Sequence, residues 1–155
     1  MKKQILWLLA LVGLMGSTAC KKTTVLTPAE EDALIKAYIV KKGWTAQVTP
    51  EGIYYVTDAP GSGSATPALS SYVTVYYKGY LLDETVFDSN VAPKAPIEFL
   101  LRNLIPGWQI GFQKFKAGGK GKLLIPSTYA YGPSGSRGIP GYSPLVFEVE
   151  LVSFK

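Results

Sequence analysis

The sequence has no histidine and a single cysteine among its 155 residues. Histidine and cysteine are the usual ligands of catalytic zinc and copper, and histidine is the usual base that activates a serine or cysteine nucleophile. Cys20 also has no second cysteine with which to form an internal disulfide. These absences disfavour transition-metal enzymes and triad hydrolases, and we expect neither a metal nor a cofactor.

A long apolar run is missing as well. Residues 5–15 are mostly apolar, but they are too few to cross a bilayer core of about 30 Å, which needs roughly 20 apolar residues. They follow Lys2 and Lys3, and small residues ending at Ala19 come after them. This order is that of a secretory signal peptide, which we predict at residues 1–19.

Cys20 stands where the signal peptide would be cut, and Ser17-Thr18-Ala19 before it resembles a relaxed bacterial lipobox. We therefore predict a lipidated Cys20 that begins a tether over residues 20–26; an ordinary signal peptide that leaves a free thiol is the alternative. Two or more acyl chains attach a protein stably to a membrane, so we expect a place in the cell envelope. Lys21, rather than an aspartate, favours the periplasmic face of the outer membrane by analogy with bacterial sorting.

Charge of one sign is only in weak excess. Without residues 1–19, the 16 basic residues fall to 14 against 11 acidic ones, so the net charge of the predicted mature chain is +3 instead of +5. The lysines within residues 114–122 flank a Gly-Gly turn without interleaved aromatic residues. We interpret them as a solvated face, and we expect no nucleic-acid partner.

A well-marked helix follows the tether. Thr27 is a typical cap, Glu30 lies three residues later as in a capping box, and Gly43 is a typical stop. Between them, apolar residues recur at helical spacing. They are Leu34, Ile35, Tyr38 and Ile39. We predict an amphipathic helix over residues 28–42 that packs on its own domain; pairing with a second copy or a partner is the alternative.

From Trp44 onward, aromatic and β-branched residues punctuated by glycine and proline indicate an antiparallel sheet. Strands are predicted near residues 46–49, 53–57, 72–81, 96–101, 120–126 and 144–154. A second, short helix is predicted over residues 106–114, because Pro106 can open it. We assign residues 27–45 to a helical extension and residues 46–155 to a single sheet domain.

Five segments of this domain place aromatic residues beside glycine, proline or acidic residues. They are residues 73–79, the Phe-Asp-Ser turn within 86–89, the Gly-Trp pair within 104–108, Tyr-Ala-Tyr-Gly at 129–132, and residues 144–150. Any one of them is more often core than site. In this order and at these separations, they resemble the FKBP family of peptidyl-prolyl isomerases over roughly residues 46–155. The resemblance implies an α+β fold in which a twisted, half-open antiparallel sheet, a half-barrel, wraps around one short helix.

The resemblance also implies an apolar pocket that accepts proline. Trp108 would form its floor, the phenol of Tyr131 would reach in from a loop, and the backbone N–H of Ile105 would hold a substrate carbonyl. It assigns catalytic roles to Tyr77, Phe87, Asp88, Ile105, Trp108, Tyr131 and Phe147. It assigns substrate binding to Ile97, Phe99, Leu104 and Ile139.

Three places depart from the family pattern. Ile97 stands where an aromatic residue is common on the wall strand, and residues 90–93 lack the basic residue that commonly pairs with the acid. Residues 139–142 read Ile-Pro-Gly-Tyr where a Pro-Pro pair is more usual. These departures bear on catalytic strength, on affinity for macrolide-type ligands and on substrate contacts, and they leave the fold expectation unchanged.

The implied activity is faster rotation about X-Pro bonds in proline-containing polypeptide clients, which would be exported proteins. An apolar pocket favours the twisted amide because that geometry carries less charge separation than the planar one. One alternative is a binding module or holdase that keeps the pocket without catalysis. Another is a structural envelope component that docks a partner through its tyrosine-rich surface.

Overall fold

The computed structural model describes residues 25–91 and 93–155. The predicted signal peptide at 1–19, Cys20 and most of the predicted tether lie outside these residues. Within the described ranges, no helix has the length and apolar character needed to cross a membrane.

The helix predicted over residues 28–42 is α1 (Pro28–Lys42). The Thr27 hydroxyl accepts a hydrogen bond from the Glu30 N–H, and the Glu30 carboxylate accepts one from the Thr27 N–H at 2.8 Å. Gly43 ends the helix with φ 66°, a left-handed conformation that glycine adopts without steric cost. The predicted capping box and stop are therefore confirmed.

Seven strands form one antiparallel sheet in the order β1-β2-β6-β7-β3-β4, with β5 paired to β3 beside β4. The strands are β1 (Gln47–Val48), β2 (Tyr54–Ala59), β3 (Tyr72–Leu81), β4 (Val86–Ser89), β5 (Ile97–Leu100), β6 (Gly119–Ile125) and β7 (Leu145–Phe154). Since the two ends of this order do not pair, the sheet is open. Every predicted strand is present, and each bound lies within two residues of the prediction.

β4 corrects the sequence analysis, which predicted a turn at its Phe-Asp-Ser segment. The chain turns earlier: Leu81 and Thr85 are joined by a backbone hydrogen bond of 3.0 Å, and Glu84 between them has φ 71°. The reversal allows Asp88 to pair with Gly79 of β3. The segment after the turn is therefore extended, and Asp88 is held by a strand ladder.

The short helix predicted over residues 106–114 is α2 (Pro106–Gly111), followed by a 3-10 turn (Phe112–Lys114). Two glycines let α2 approach the sheet closely. A Cβ on Gly107 would lie 2.3 Å from Cγ2 of Ile125, and one on Gly111 would lie 2.5 Å from Cδ1 of Leu123. The predicted α+β arrangement, an open antiparallel sheet around a short helix, is confirmed.

Side chains of the sheet alternate between two buried clusters, because successive residues of a strand point to opposite faces. The pocket-side cluster contains Tyr77, Trp108, Leu123 and Phe147, among others. The helix-side cluster contains Ile35, Tyr38, Ile39, Tyr54, Tyr80, Leu124 and Val146. The second cluster joins α1 to the sheet, so α1 packs on its own domain as predicted.

Leu34 does not belong to the buried face of α1, contrary to the sequence analysis. Its side chain is 44% exposed, whereas Ile35, Tyr38 and Ile39 are buried. The residue that completes the buried face is Glu31, one helical turn before Ile35. A polar residue was thus buried where the hydrophobic pattern alone predicts an exposed one.

Candidate active site

A cavity of about 310 Å³ opens on the pocket side of the sheet, between α2 and the loop that follows β6. Ten of the residues predicted from the sequence line it. They are Tyr77, Phe87, Asp88, Phe99, Leu104, Ile105, Trp108, Tyr131, Ile139 and Phe147. The structure thus brings together side chains from β3, β4, β5, α2, β7 and two loops.

Ile97 is the predicted site residue that does not line the cavity. It begins β5, pairs with Val75 and is 40% exposed. Phe99 lies two residues further on, hence on the same side of the strand, and its ring lies 6.2 Å from that of Trp108. Phe99 therefore takes the wall position, and Ile97 stays outside it.

Trp108 lies at the base of the cavity and is 5% exposed. Four rings meet its indole nearly at right angles, with centroid separations between 5.0 and 6.2 Å. They belong to Tyr77, Phe99, Phe112 and Phe147. Edge-on contacts of this kind stabilise aromatic clusters beyond their buried area. Within the described part of the chain, the indole N–H has no hydrogen-bond acceptor, so the contacts that hold the indole at the base of the cavity are those with the four rings.

Tyr77 and Asp88 form the polar pair at the cavity wall. The Tyr77 hydroxyl donates to Oδ2 of Asp88 at 2.6 Å, and the Ser89 N–H donates to Oδ1 at 2.8 Å. Burial is the largest cause that raises the pKa of Tyr77, and the hydrogen bond to Asp88 is the second. Burial and the charge of Asp88 also raise the pKa of Tyr131. Both phenols therefore stay protonated at neutral pH, and Tyr131, which is 38% exposed, can donate to a carbonyl.

Asn90 is a buried residue next to the site that the sequence analysis treated only as part of a segment lacking a basic residue. Its Oδ1 accepts from the Tyr77 N–H at 2.6 Å, and its Nδ2 donates to the Val75 C=O at 3.0 Å. β5 pairs with β3 up to Val75, and β4 pairs with β3 from Lys78 onward. The Asn90 amide thus supplies the hydrogen bonds of β3 between the two strands and fixes the backbone of Tyr77.

Gly79 gives the cavity wall its close packing. A Cβ there would lie 2.5 Å from Cε2 of Phe87 and 2.8 Å from Cε1 of Phe147. The two rings meet each other edge-on at 5.6 Å directly above this glycine. The absence of a side chain at Gly79 therefore makes room for two of the aromatic walls.

The turn before α2 presents Ile105 to the cavity. Ile105 precedes Pro106 with an extended conformation, and its C=O accepts from the Trp108 N–H at 2.9 Å. The Gln109 side chain donates to the C=O of Leu104 at 2.7 Å and of Arg102 at 3.1 Å. Gln109 therefore holds the turn that carries the two entrance residues.

Ser136 and Arg137 also line the cavity, although the sequence analysis did not name them. A short hairpin holds them: Ser136 and Ile139 exchange backbone hydrogen bonds of 2.9 and 2.8 Å. Ile139 is buried at the rim, and Arg137 is exposed beside it. A loop rich in glycine and proline has no periodicity that would mark which of its side chains turn inward, so only the resemblance pointed to Ile139.

A family model described as "FKBP-type peptidyl-prolyl cis-trans isomerase" matches residues 63–152 of this chain. The Escherichia coli K12 protein FkpA, an FKBP-type peptidyl-prolyl cis-trans isomerase, is 41% identical over 129 residues, which cover 82% of this chain and 47% of that protein. The macrophage infectivity potentiator of Trypanosoma cruzi is 42% identical over 107 residues, covering 68% of this chain and 55% of its own length. The chain thus spans about half the length of these relatives.

Solved structures agree. The crystal structure of FkpA from Escherichia coli superposes with a TM-score of 0.72 at 40% identity, covering 82% of this chain and 60% of that one. A peptidyl-prolyl cis-trans isomerase from Pseudomonas syringae pv. tomato superposes with a TM-score of 0.69 at 30% identity, covering 85% and 98%. With a family model that matches more than half of its residues, this chain belongs to the FKBP-type peptidyl-prolyl cis-trans isomerases.

Proposed function

We propose that this chain is an active peptidyl-prolyl cis-trans isomerase that accelerates rotation about X-Pro bonds in exported polypeptides. The observation that supports it is the cavity of about 310 Å³ with an indole at its base, aromatic walls, and polar groups confined to its edge. Such a cavity suits an uncharged ring with a polar backbone beside it.

In this proposal, the acceleration comes from moving the peptide bond out of water, and no proton is transferred. Rotation about an X-Pro bond crosses a barrier of about 18 to 20 kcal/mol because it breaks amide resonance. The twisted amide carries less charge separation than the planar one, so an apolar surrounding destabilises it less. Transfer from water to a cavity based on Trp108 therefore lowers the barrier.

Polar groups orient the substrate in this scheme. We propose that the Tyr131 phenol and the Ile105 N–H, from two residues that line the cavity, bind substrate carbonyls, and that Asp88 orients the Tyr77 ring by accepting its hydrogen bond. A millionfold acceleration needs roughly 8 kcal/mol, whereas one neutral hydrogen bond contributes about 0.5 to 1.5 kcal/mol. The apolar enclosure must therefore supply most of the effect.

The test is a cis-Pro peptide assay, repeated as proline-limited refolding of a client protein, on the purified chain. We expect acceleration over buffer in both. A chain with native circular dichroism that accelerates neither would contradict the proposal.

Two observations favour a second candidate, a non-catalytic module that holds proline-containing segments. Ile97 stands where an aromatic residue is common and contributes no ring to the cavity, and Asn90 stands in the segment that lacks a basic residue. Tight binding of a proline peptide without acceleration would support this candidate. Catalysis that is lost in Trp108→Ala would exclude it.

The proposed location is the cell envelope, with a lipid on Cys20 and the domain facing the periplasm from the outer membrane. The signal-like residues 1–19 and the lipobox-like residues 17–20 support it. Since α1 follows the tether and covers the sheet face opposite the cavity, an anchor there leaves the cavity accessible. Labelled fatty acid should enter the chain and be lost in Cys20→Ser; equal labelling of both would contradict it.

The same cavity is also proposed to take macrolide-type ligands, because they present an apolar ring and carbonyl groups to the Tyr131 edge. Binding should quench the fluorescence of Trp108 and inhibit peptide isomerisation in parallel. Inhibition without any fluorescence change would place the ligand elsewhere.

A further inference from the structure

A carboxylate buried between α1 and the sheet has no part in the site described so far. Glu31 is 3% exposed, although its neighbour Glu30 is exposed. Both of its oxygens accept hydrogen bonds from one residue: the Ser127 N–H donates to Oε2 at 2.7 Å, and the Ser127 hydroxyl donates to Oε1 at 2.5 Å. A buried carboxylate is costly unless such partners compensate it, so the geometry is specific to this pair.

Ser127 begins the segment that carries Tyr131. It is 2% exposed and starts a 3-10 turn (Ser127–Tyr129) that Pro126 separates from β6. Its C=O accepts from the Ala130 N–H at 3.0 Å, and Tyr131 comes next in the chain. The N–H and the hydroxyl of Ser127 are therefore engaged by Glu31, and its C=O is engaged by Ala130, the residue before Tyr131.

Two other polar contacts of α1 join it to parts of the fold other than the segment that carries Tyr131. The Tyr54 hydroxyl donates to Oδ1 of Asp32 at 2.6 Å, which joins α1 to β2. The Tyr38 hydroxyl donates to Oε1 of Glu84 at 3.0 Å, in the turn between β3 and β4. Glu31 and Asp32 are thus adjacent residues of one helix, of which the first holds the pocket loop and the second holds the sheet.

We propose that Glu31 is a positioning residue for the isomerase site: by fixing Ser127, it sets the place of the Tyr131 phenol at the cavity edge. Without this carboxylate, two buried donors of Ser127 lose their acceptors, and the turn must shift to bring them to water. The inference rests on the proposed function for its activity readout. It makes α1, which precedes the family-matched residues 63–152, part of the working site.

Three variants of the full chain test it. Glu31→Ala removes both acceptors, and Asp32→Ala is the matched control on the same helical turn. Glu31→Gln is the conservative variant: its carbonyl oxygen can accept from the Ser127 N–H, and its amide N–H can donate to the hydroxyl oxygen. We expect kcat/KM to fall about threefold in Glu31→Ala, as much as the loss of the Tyr131 hydroxyl itself, and mainly through KM because Tyr131 orients the substrate. Glu31→Gln should recover most of the loss, and Asp32→Ala should keep kcat/KM.

A double mutant of Glu31→Ala with Tyr131→Phe tests whether Glu31 acts on kcat/KM through the Tyr131 phenol. If Glu31 acts by placing the phenol, Glu31→Ala should cost clearly less in the Tyr131→Phe background than in the unmodified chain. Full additivity, or equal kcat/KM for Glu31→Ala and Asp32→Ala, would overturn the inference. Should Glu31→Ala fail to fold, Ser127→Ala takes its place in the comparison with Tyr131→Phe, since it removes one of the two hydrogen bonds to Glu31.

A second readout needs no turnover and therefore separates this inference from the proposed function. Amide hydrogen exchange over residues 127–132 should be faster in Glu31→Ala than in Asp32→Ala. A chain without isomerase activity would reject the proposed function, and the exchange comparison would still decide on Glu31. Equal exchange in the two variants would contradict its positioning role.

Discussion

The two faces of the sheet bury aromatic residues in different ways. On the face covered by α1, the phenols of Tyr38, Tyr54 and Tyr80 each donate to a carboxylate, from Glu84, Asp32 and Glu148 respectively. On the other face, rings meet one another edge-on around Trp108, whose N–H has no acceptor among the described residues, and a cavity remains. One face is filled and its polar groups are satisfied; the other keeps apolar surface available.

This difference separates stability from function. A satisfied, filled interface contributes to the free energy of folding and has nothing to offer a ligand. An apolar cavity forgoes packing contacts and can recover them when an apolar group of a ligand enters. We therefore expect substitutions on the cavity face to affect isomerisation beyond their effect on stability, and substitutions on the α1 face to affect stability alone, apart from Glu31.

The largest effect is expected for Trp108→Ala. Loss of the indole should lower kcat/KM by about a hundredfold or more and the free energy of unfolding by about 3 to 5 kcal/mol. Ile39→Ala on the α1 face should destabilise the chain by about 2 to 5 kcal/mol and keep kcat/KM under conditions where it is folded. Peptide assays and urea titrations of both variants check this. Equal losses of activity would break the comparison.

Gly79→Ala should have the next largest effect. The added Cβ must displace the rings of Phe87 and Phe147, and overpacking of this kind costs about 1 to 3 kcal/mol. We expect the cavity to narrow and kcat/KM to fall by about tenfold. As a control, Gly43→Ala strains a helix end far from the cavity and should lower stability only. Unchanged peptide kinetics in Gly79→Ala would show that the ring positions do not limit activity.

Asp88→Ala removes the acceptor of the Tyr77 hydroxyl. A donor left without its partner at a buried site costs about 1 to 3 kcal/mol, and the Tyr77 ring loses its fixed orientation. We expect a fall in kcat/KM of about fivefold. Tyr77→Phe removes the buried donor itself and leaves only Oδ2 of Asp88 without its partner; since Asp88 is exposed to water, this variant should be milder. If Asp88→Ala were as mild as Tyr77→Phe, the hydrogen bond would not be what orients the wall.

Tyr131→Phe should have a small effect, because one neutral hydrogen bond contributes about 0.5 to 1.5 kcal/mol. We expect kcat/KM to fall about threefold, mainly through KM. Steady-state kinetics at several peptide concentrations separate the two constants. A loss as large as that of Trp108→Ala would mean that the phenol, and not the apolar enclosure, supplies most of the acceleration.

The smallest expected effect is that of pH. The pKa of Tyr77 and of Tyr131 is raised above the usual value by burial first and by Asp88 second, and the chain has no histidine. Activity should therefore be flat from about pH 6 to 9. Unfolded phenols lose their protons near pH 10, and the folded ones do so higher, so the contribution to stability is present below about pH 10 and is lost above it. A kinetic transition near pH 7 would contradict this.

Most of the fold and the cavity could be predicted because their signals are local or carried by an ordered set of motifs. The capping box of α1 and the alternating strand residues act within a few positions, and ten of the residues assigned by the resemblance line the cavity. β4 was missed because its short segment has no alternation to distinguish it from a turn; only pairing with β3 extends it.

The remaining misses depend on partners far away in the sequence. Glu31 reads as a polar residue of an amphipathic helix, and only Ser127, 96 positions later, makes its burial favourable. Ile97 and Phe99 were both assigned to substrate binding by the resemblance, but only Phe99 lines the cavity, although the two residues share one side of β5. Asn90 carries no sequence signal for its role. Its amide bonds to a stretch of β3 that neither β4 nor β5 pairs with, and that stretch is known only once the strand pairing is known.

The gap that Asn90 fills has a consequence for solubility. A row of free N–H and C=O groups on a strand edge is a template for another chain, and native proteins cover such edges to avoid aggregation. β3 changes partners between Val75 and Lys78, so a short bare stretch would otherwise face outward beside the cavity wall. The Asn90 amide occupies this stretch. The cavity can therefore stay open beside the sheet edge without exposing backbone groups to which a second molecule could add a strand.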